Sequence, residues 1–497
     1  MANLDPQGTP VELGKGYVLA APGLEGTARL LGGEPAGTRD VGEQEVSETF
    51  ESALTNSDMR EMDAIVVEAA HRGVSGDRQV RTTGGEDGMV LEVPDLGPAV
   101  GQVVLAVDEA GALSWHHPEA TSDITETSTM RGAGDRKRFV IRSTSPPRDR
   151  EMSSRSLISS LGKKVLKVLT YPIAGTPLQV AARFFARKWE EKKRPYAVRW
   201  FAPGNYRESP GEPISGEGWK RLSEGRALLF VHGTFSRSFS GFWGLPNETM
   251  QRFDDLYSGR VFAFDHFTLS HDPERNVVEF LDQIPSGVRL NLDIISHSRG
   301  GLVARALAGE TSSGPIPGVE VERAVFVATP NHGTALADAD HLMAFIDRHT
   351  SILNLIPPGP HSVVLDVLEG IITAVKMIGR AALGGLPGLL SMDPDGPFLQ
   401  RMNNDSSTSA EYYAVAADFE PKGGLGSIVS DGVVDRVFGD AGNDLVVPTL
   451  GVFSGSHGAG FPIPTQRLLE FSASDAVNHS GFFSDPRTSE ALLGWLS

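Results

Sequence analysis

The stretch that decides the fold is "DIISHSRGG", residues 293–301. Its apolar start followed by polar and glycine residues predicts a buried β-strand, a turn and the beginning of a helix. A serine in such a turn can be held on a strained backbone at the top of a sheet, provided that the residues two before and two after it are small. The stretch contains two serines, so the first question is which of them the turn presents.

Steric fit selects Ser298. Its flanking residues are Ser296 and Gly300, and both are small. If the turn is centred on Ser296, one flank becomes Ile294, whose branched side chain would collide with the turn. We therefore predict that Ser298 is a nucleophile, with a serine in place of the usual first glycine. An ordinary strand, turn and helix with polar turn residues is the alternative interpretation.

Composition sets limits on the rest of the chain. Its 497 residues, 40% hydrophobic and 22% charged, are typical of a soluble globular protein with two or three domains. A formal net charge of −18 disfavours nucleic-acid binding, because a polyanion would be repelled. The chain has no cysteine, which excludes disulfides and thiolate metal sites.

Targeting signals are not apparent in the sequence. The first residues, "MANLDPQGTP", have neither a basic nor an apolar region of the kind found in secretory signals. No uninterrupted apolar run is long enough to span a bilayer. We therefore expect a cytoplasmic protein.

The pattern changes along the chain and predicts three regions. Residues 1–150 contain short β-like runs between Gly- and Asp-rich turns, followed by a polar linker at 119–136, and predict a small β-rich accessory domain. Residues 151–195 predict a basic helical connector. Residues 196–497 alternate strands and helices, which predicts an α/β domain with a largely parallel sheet.

Two helices are predicted in the connector. The first rests on the helical spacing of Leu157, Leu161, Val165 and Val168, and the second is "LQVAARFFARKWEEKKRP", residues 178–195. In a chain this acidic, their lysines and arginines could mark a transient contact of residues 156–194 with a membrane surface. We favour the other interpretation, surface helices that pack between domains.

The α/β region provides a candidate oxyanion hole. We predict strands at "YAVRWF", "ALLFVHG", "RVFAFDH", "LDIISHS", "RAVFVATP" and "YYAVAAD". Ligands bind beyond the carboxyl ends of such strands. The second strand ends at His232-Gly233, so that the amide of Thr234 could stabilise an oxyanion, and the amide of Arg299 would be the second donor.

A nucleophilic serine also needs a base and an acid, which follow it in the chain when it sits on such an elbow. For the acid we favour Asp444, in "GNDLVVPT", over Asp418, which also leaves a strand end. Asp435 and Asp440 lie in a Gly-containing loop and are expected to be solvated.

For the base we favour His479, in "DAVNHSGFF", over His457 in "SGSHGAG". His297 is one residue from Ser298 and cannot fold back in line with it.

From about residue 196 onward, the sequence resembles the α/β-hydrolase superfamily, in particular bacterial lipases, lecithin:cholesterol acyltransferase-like enzymes and GPI inositol-deacylase-like proteins. The resemblance lies in five ordered segments: "FVHGTF", "ISHSRGGLVAR", "VFVATPNHGTALAD", "GNDLVVP" and "VNHSGFF". The sequence departs from the usual pattern at Ser296 and Leu445, where glycine is common, and neither departure removes a reacting group.

The resemblance implies a serine carboxylic-ester hydrolase with Ser298, Asp444 and His479 as its triad. Residues 335–410 would form a helical lid, whose apolar residues favour an apolar or lipid-like ester. No metal-binding pattern is present, so we expect neither a catalytic metal nor a cofactor. An amidase or acyltransferase using the same site, and an inactive hydrolase fold that serves as a binding module, are the alternatives.

Overall fold

The computed structural model describes residues 1–31, 47–71, 88–108, 111–119, 136–142, 162–173, 178–309, 316–334, 337, 342–355, 359–379, 386–404, 408–419, 442–454 and 463–497. The chain divides into two compact units. Among the described residues, the first unit holds those of Met1–Thr176, and the second holds those of Pro177–Gly426 and Val434–Ser497. The predicted linker at 119–136 lies almost entirely outside the described residues.

The first unit is rich in β-structure. It contains α1 (Glu48–Asn56) and the strands β1 (Ala2–Leu4), β2 (Val11–Gly14), β3 (Tyr17–Ala20), β4 (Leu24–Leu31), β5 (Arg60–His71), β6 (Gly88–Pro94), β7 (Val100–Val107), β8 (Leu113–His116), β9 (Arg136–Arg142) and β10 (Gly162–Pro172). They form two sheets, in the orders β1-β4-β5-β10-β7-β8 and β2-β3-β6-β9. Alternating burial along β6 shows that one face of its sheet lies in the core.

The helix expected at residues 156–168 is wrong where the structure describes it. Residues Gly162–Pro172 form β10, which pairs antiparallel with β5 on one side and β7 on the other. Leu166 and Val168 are buried, while Lys167 between them forms an ion pair with Glu61 at 2.9 Å, the alternation of a strand. Hydrogen bonds to two neighbouring strands outweigh the helical spacing of the apolar residues. The suggested membrane contact of 156–194 therefore loses its first helix.

The second unit begins with α2 (Leu178–Lys193), within the second predicted helix. Its strands are β11 (Ala197–Trp200), β12 (Arg226–Val231), β13 (Val261–Asp265), β14 (Leu290–His297), β15 (Val319–Val327), β16 (Glu411–Ala417) and β17 (Leu468–Phe471). Its further helices are α3 (Gly216–Ser223), α4 (Ser238–Gly241), α5 (Asn247–Leu256), α6 (Pro273–Leu281), α7 (Gly300–Leu307), α8 (Leu342–Leu355), α9 (His361–Ile378), α10 (Pro387–Leu390), α11 (Pro397–Asn404), α12 (Thr449–Phe453) and α13 (Pro486–Leu496).

Seven strands of the second unit form one sheet in the order β11-β13-β12-β14-β15-β16-β17. Its strands are parallel except β11, which pairs antiparallel with β13. The six predicted strands correspond to β11–β16, and β17 was not predicted. Burial is almost continuous along β12, β13 and β14, as expected for a sheet covered on both faces.

The carboxyl ends of the parallel strands position the site. The segments after β12, β14 and β16 begin at His232, Ser298 and Asp418, so all three residues lie at the carboxyl end of the sheet. Helices α8 to α11 lie between β15 and β16, within the predicted insertion at 335–410. Helix α9 is mostly buried, with eleven buried residues. In the described part of the chain, no helix is both long and apolar enough to cross a membrane.

Candidate active site

The turn between β14 and α7 has the strained geometry expected of an elbow. Ser298 adopts a φ of 51°, in the left-handed region that non-glycine residues rarely occupy. Its amide donates to the carbonyl of Val327 on the neighbouring strand at 2.9 Å, which holds the turn against β15. Strain of this kind costs on the order of 1–3 kcal/mol and persists only where surrounding contacts enforce it.

Close backbone packing explains why two glycines surround Ser298. A Cβ at Gly300 would lie 2.4 Å from the carbonyl oxygens of Val231 and His232, and a Cβ at Gly233 would lie 2.7 Å from the Cβ of Ser298. Neither position has room for a side chain. The loop after β12 therefore lies directly against the nucleophile.

Ser296 occupies the flank where glycine was expected. Its side chain is fully buried, and its hydroxyl donates to the carbonyl of Val325 at 2.9 Å. A buried hydroxyl with a partner carries little penalty. The departure from the usual pattern is thus accommodated by β15, without a change in the turn.

Ser298, His479 and Asp444 are brought together from three distant parts of the chain. The Oγ of Ser298 lies 3.0 Å from Nε2 of His479, and Nδ1 of His479 lies 2.8 Å from Oδ2 of Asp444. Since a carboxylate can only accept, Nδ1 carries the proton, and Nε2 of the neutral ring can accept one from the serine. The three residues form a continuous hydrogen-bonded chain with the order of a nucleophile, a base and an orienting acid.

The acid turn fixes the carboxylate of Asp444. Its Oδ1 accepts hydrogen bonds from the amides of Val446 and Val447, at 3.0 and 2.8 Å, and Oδ2 is left for His479. The main-chain carbonyl of Asp444 also accepts from the amide of His479 at 3.0 Å. Leu445 adopts a φ of 85°, a backbone conformation that favours glycine.

The alternative acid and base lie elsewhere. Asp418 follows β16, and its carboxyl group packs near Gly442 rather than at His479. His457, Asp435 and Asp440 lie outside the described residues. Of the sequence-predicted acids and bases that the structure describes, Asp444 and His479 are the pair that meets Ser298.

The predicted oxyanion donors flank the same serine. The amide of Thr234 follows Gly233, which packs on Ser298, and the amide of Arg299 begins the turn of α7. Neither amide donates to another described residue. His232 stabilises this loop: its Nδ1 donates to the carbonyl of Gly233 at 3.0 Å, and its Nε2 accepts from the amide of His266 at 3.1 Å. Burial lowers the pKa of His232 to about 4, so the ring is neutral.

His297 has a role that the sequence did not reveal. Its Nε2 donates to the main-chain carbonyl of His479 at 3.0 Å, so the residue before Ser298 supports the loop that carries His479. Burial lowers the pKa of His297 to about 3, and the ring stays neutral. The prediction that His297 is not the base agrees with this contact.

Glu190 is a second residue that sequence reasoning missed. This fully buried carboxylate on α2 accepts from the amides of Thr268, Leu269 and Ser270 at 2.7, 2.9 and 3.0 Å. Burial raises the pKa of Glu190, and the three amides oppose that rise. In the sequence Glu190 cannot be distinguished from the exposed Glu191 beside it. Its contacts hold the end of α2 in the core of the second unit.

A buried ion cluster attaches the insertion to the oxyanion loop. Asp366 on α9 accepts from Arg237 at 2.8 Å and from the hydroxyl of Ser240 at 2.7 Å, and it also pairs with Arg194 at 3.3 Å. Arg194 in turn donates to the carbonyl of Phe235. Helix α9 is therefore fixed to the segment that follows Thr234.

Helix α8 lies over the base and the acid turn. Arg348 donates to the carbonyl of Leu445 at 3.1 Å, and the ring of His349 contacts that of His479, with centroids 5.6 Å apart. Ser298 and His479 are each only 3% exposed. Within the described ranges, no group of three or more His, Asp or Glu side chains is arranged to hold a metal ion.

Comparison with known proteins gives a family for this region. Residues 193–497, which include the whole site, match the model described as "Domain of unknown function (DUF7379)". The chain belongs to the DUF7379 family. No curated protein matches the chain.

Among solved structures, the DUF7379 chain is similar to phospholipase PlaB from Legionella pneumophila, with 13% identity, a TM-score of 0.31, and coverage of 47% of this chain and 49% of that one. It is also similar to lipase 1 from Pelosinus fermentans, with 12% identity, a TM-score of 0.35, and coverage of 54% and 98%. EstA from Clostridium botulinum has 12% identity, a TM-score of 0.36, and coverage of 64% and 98%. The chain thus spans about half the length of the Legionella phospholipase.

Proposed function

We propose that this DUF7379 protein is a serine carboxylic-ester hydrolase of the α/β-hydrolase type that acts on apolar acyl esters. The observation that carries the proposal is the hydrogen-bonded chain from Ser298 Oγ through His479 to Asp444, with distances of 3.0 and 2.8 Å. A serine without such a base is a weak nucleophile, and this arrangement provides one.

In the proposed mechanism, Ser298 Oγ attacks the ester carbonyl while Nε2 of His479 takes the hydroxyl proton. The carboxylate of Asp444 stabilises the imidazolium that forms, and the amides of Thr234 and Arg299 stabilise the oxyanion. His479 then gives its proton to the leaving alcohol, which leaves an acyl group on Ser298. A water molecule, activated by the same histidine, releases the acid and restores the serine.

Two features support an apolar acyl group. Helices α8 and α9 of the insertion carry many buried apolar side chains, among them Phe345, Ile346, Val363, Val364, Ile371 and Ile372. The structure holds the triad almost fully buried beneath α8, which supports a role of residues 335–410 as a lid. No cofactor is needed for this chemistry.

Chain-length preference tests the acyl group. Each methylene moved from water into an apolar pocket contributes on the order of 0.8 kcal/mol, about a fourfold change in kcat/KM. We expect kcat/KM for p-nitrophenyl esters to rise from acetate to medium chains. A steady fall from acetate upward would leave a small-substrate esterase instead.

A fluorophosphonate probe tests the proposed function itself. The proposal predicts that the probe labels the wild type and Ser296→Ala but does not label Ser298→Ala. The kcat for ester hydrolysis should likewise be lost in Ser298→Ala and largely kept in Ser296→Ala. Well-folded wild type that does not react would support the alternative, an inactive binding module. Amide cleavage and acyl transfer use the same site, and the products formed from matched amides or added alcohols distinguish them.

A further inference from the structure

A second histidine, His349 on α8, lies beside the proposed base. The centroid of its ring is 5.6 Å from that of His479 and 5.4 Å from that of Phe235, and both contacts are edge to face. Phe235 directly follows Thr234, which provides one oxyanion amide. His349 therefore lies between the two loops that flank the position of the reacting carbonyl.

The hydrogen bonding of His349 defines its chemistry. Its Nδ1 lies 3.0 Å from the carbonyl oxygen of Phe345, so Nδ1 carries a proton and donates it. Burial, together with the nearby His479 and Arg348, lowers the pKa of His349 to about 3. The ring is neutral, and Nε2 has a free lone pair. No described residue donates to that nitrogen.

Packing alone does not account for an imidazole here. His349 is 8% exposed and contacts the aromatic rings of Phe345 and Phe235, an environment that would suit phenylalanine. Its Nε2, which has no described partner, is not fully enclosed by protein atoms. This acceptor therefore lies on an accessible side of the ring, where a donor that arrives with the substrate can reach it.

The position of His479 indicates which part of the ester would lie next to His349. In the proposed reaction, His479 protonates the oxygen of the leaving alcohol, so the atoms of that alcohol lie nearest to its ring. His349 packs on the same ring. We propose that Nε2 of His349 accepts a hydrogen bond from a hydroxyl on the alcohol portion of the ester, which makes monoesters of a polyol such as glycerol the preferred substrate class.

This inference rests on the proposed function and deepens it. The test compares glycerol monooctanoate with propyl octanoate, two esters that share the acyl chain and differ in the two hydroxyls of the alcohol. The quantity measured is the ratio of their kcat/KM values. The variants are His349→Phe, which removes the acceptor, and His349→Gln, which keeps one. His361→Phe, at the exposed start of α9, is the matched control.

We expect the wild type to favour the glycerol ester and His349→Phe to lower the ratio about tenfold, the effect of losing one hydrogen bond between neutral groups. His349→Gln should recover part of the ratio, and His361→Phe should leave it at the wild-type value. Circular dichroism and thermal unfolding establish that each variant is folded.

Two results would overturn the inference while leaving the hydrolase intact. One is a wild type that hydrolyses both esters without preference, which needs no variant at all. The other is a folded His349→Phe protein with an unchanged ratio. If instead the wild type hydrolyses neither ester and does not react with fluorophosphonate, it is the proposed function that has failed.

Discussion

The elbow at Ser298 and the acid turn at Leu445 each hold a non-glycine residue at positive φ, with values of 51° and 85°. At the elbow the strained residue is the proposed nucleophile itself, and closely packed neighbours enforce its conformation. At the acid turn the strained residue is a neighbour of the reacting Asp444, and its own buried side chain helps to hold it.

The difference between the two turns shows where strain is needed. The elbow has to expose the hydroxyl oxygen of Ser298, so the small residues around it cannot be replaced by larger ones. The acid turn has to orient a carboxylate, which the amides of Val446 and Val447 already do. Strain at Leu445 is therefore a consequence of the chain path. We expect that glycine can replace Leu445 without disturbing the carboxylate of Asp444.

The largest expected effect is the loss of kcat when His479 or Asp444 is substituted. His479→Ala and Asp444→Asn should lower kcat by several orders of magnitude, because the serine loses its base or the base loses its orientation. Thermal unfolding should change little, and the ester hydrolysis rate is the readout. Asp418→Asn is the control, since that carboxyl group lies away from His479. A larger loss in the control would move the acid to Asp418.

Substitution at Ser296 tests how tight the elbow is. Ser296→Val adds bulk to a fully buried position and should reduce kcat/KM at least a hundredfold. Ser296→Gly should stay active and lose about 1 kcal/mol of unfolding free energy, the value of the hydrogen bond to Val325. Kinetics and denaturant unfolding measure the two effects. A fully active valine variant would contradict the steric account of the turn.

Acid should destabilise the folded protein in part through two buried histidines near the elbow, His232 and His297. Burial lowers the pKa of His232 to about 4 and of His297 to about 3, below the ordinary histidine value of about 6.5. Between pH 6.5 and 4 the unfolded chain therefore binds protons that the folded protein does not. Stability is therefore lost as pH falls through that window, by about 2 kcal/mol per histidine at pH 5. Glu190, with a raised pKa, opposes the trend in part.

Unfolding free energies measured at pH 7 and pH 5 test whether stability falls as the pH is lowered. His297→Asn should reduce the difference between the two pH values by about 2 kcal/mol. The exposed His361→Asn should leave the difference as in the wild type. Equal pH dependence of His297→Asn and the wild type would mean that His297 is not held neutral by burial.

The smallest effect is expected at Leu445. Both Leu445→Ala and Leu445→Gly lose the buried side chain, but glycine also relieves the positive φ, so it should be about 1 kcal/mol more stable than alanine. At Leu450, in α12 and 62% exposed, the order should reverse, because glycine weakens a helix. Thermal unfolding of the four variants measures both orders. If the alanine variant is more stable than the glycine variant at both positions, the positive φ of Leu445 does not strain the acid turn.

Local pattern was sufficient for six of the seven strands of the central sheet and for the elements that carry the candidate site. The apolar runs of β11 to β16 and the small flanks of Ser298 are properties of neighbouring residues, so they are visible in one chain read in order. The same reading misplaced β10. Its apolar residues also fit a helical spacing, and only its pairing with β5 and β7 determines that it is a strand.

The sequence by itself determined that Ser298 lies on an elbow and that a carboxylate and a histidine follow it in order. The tertiary structure decided that Asp444, and not Asp418, meets His479, because that choice depends on how loops more than 30 residues apart come together. It also decided the buried contacts of Glu190, Asp366 and His349. Their partners are backbone groups and rings from distant segments, and a carboxylate or imidazole looks the same in the sequence whether it is solvated or enclosed.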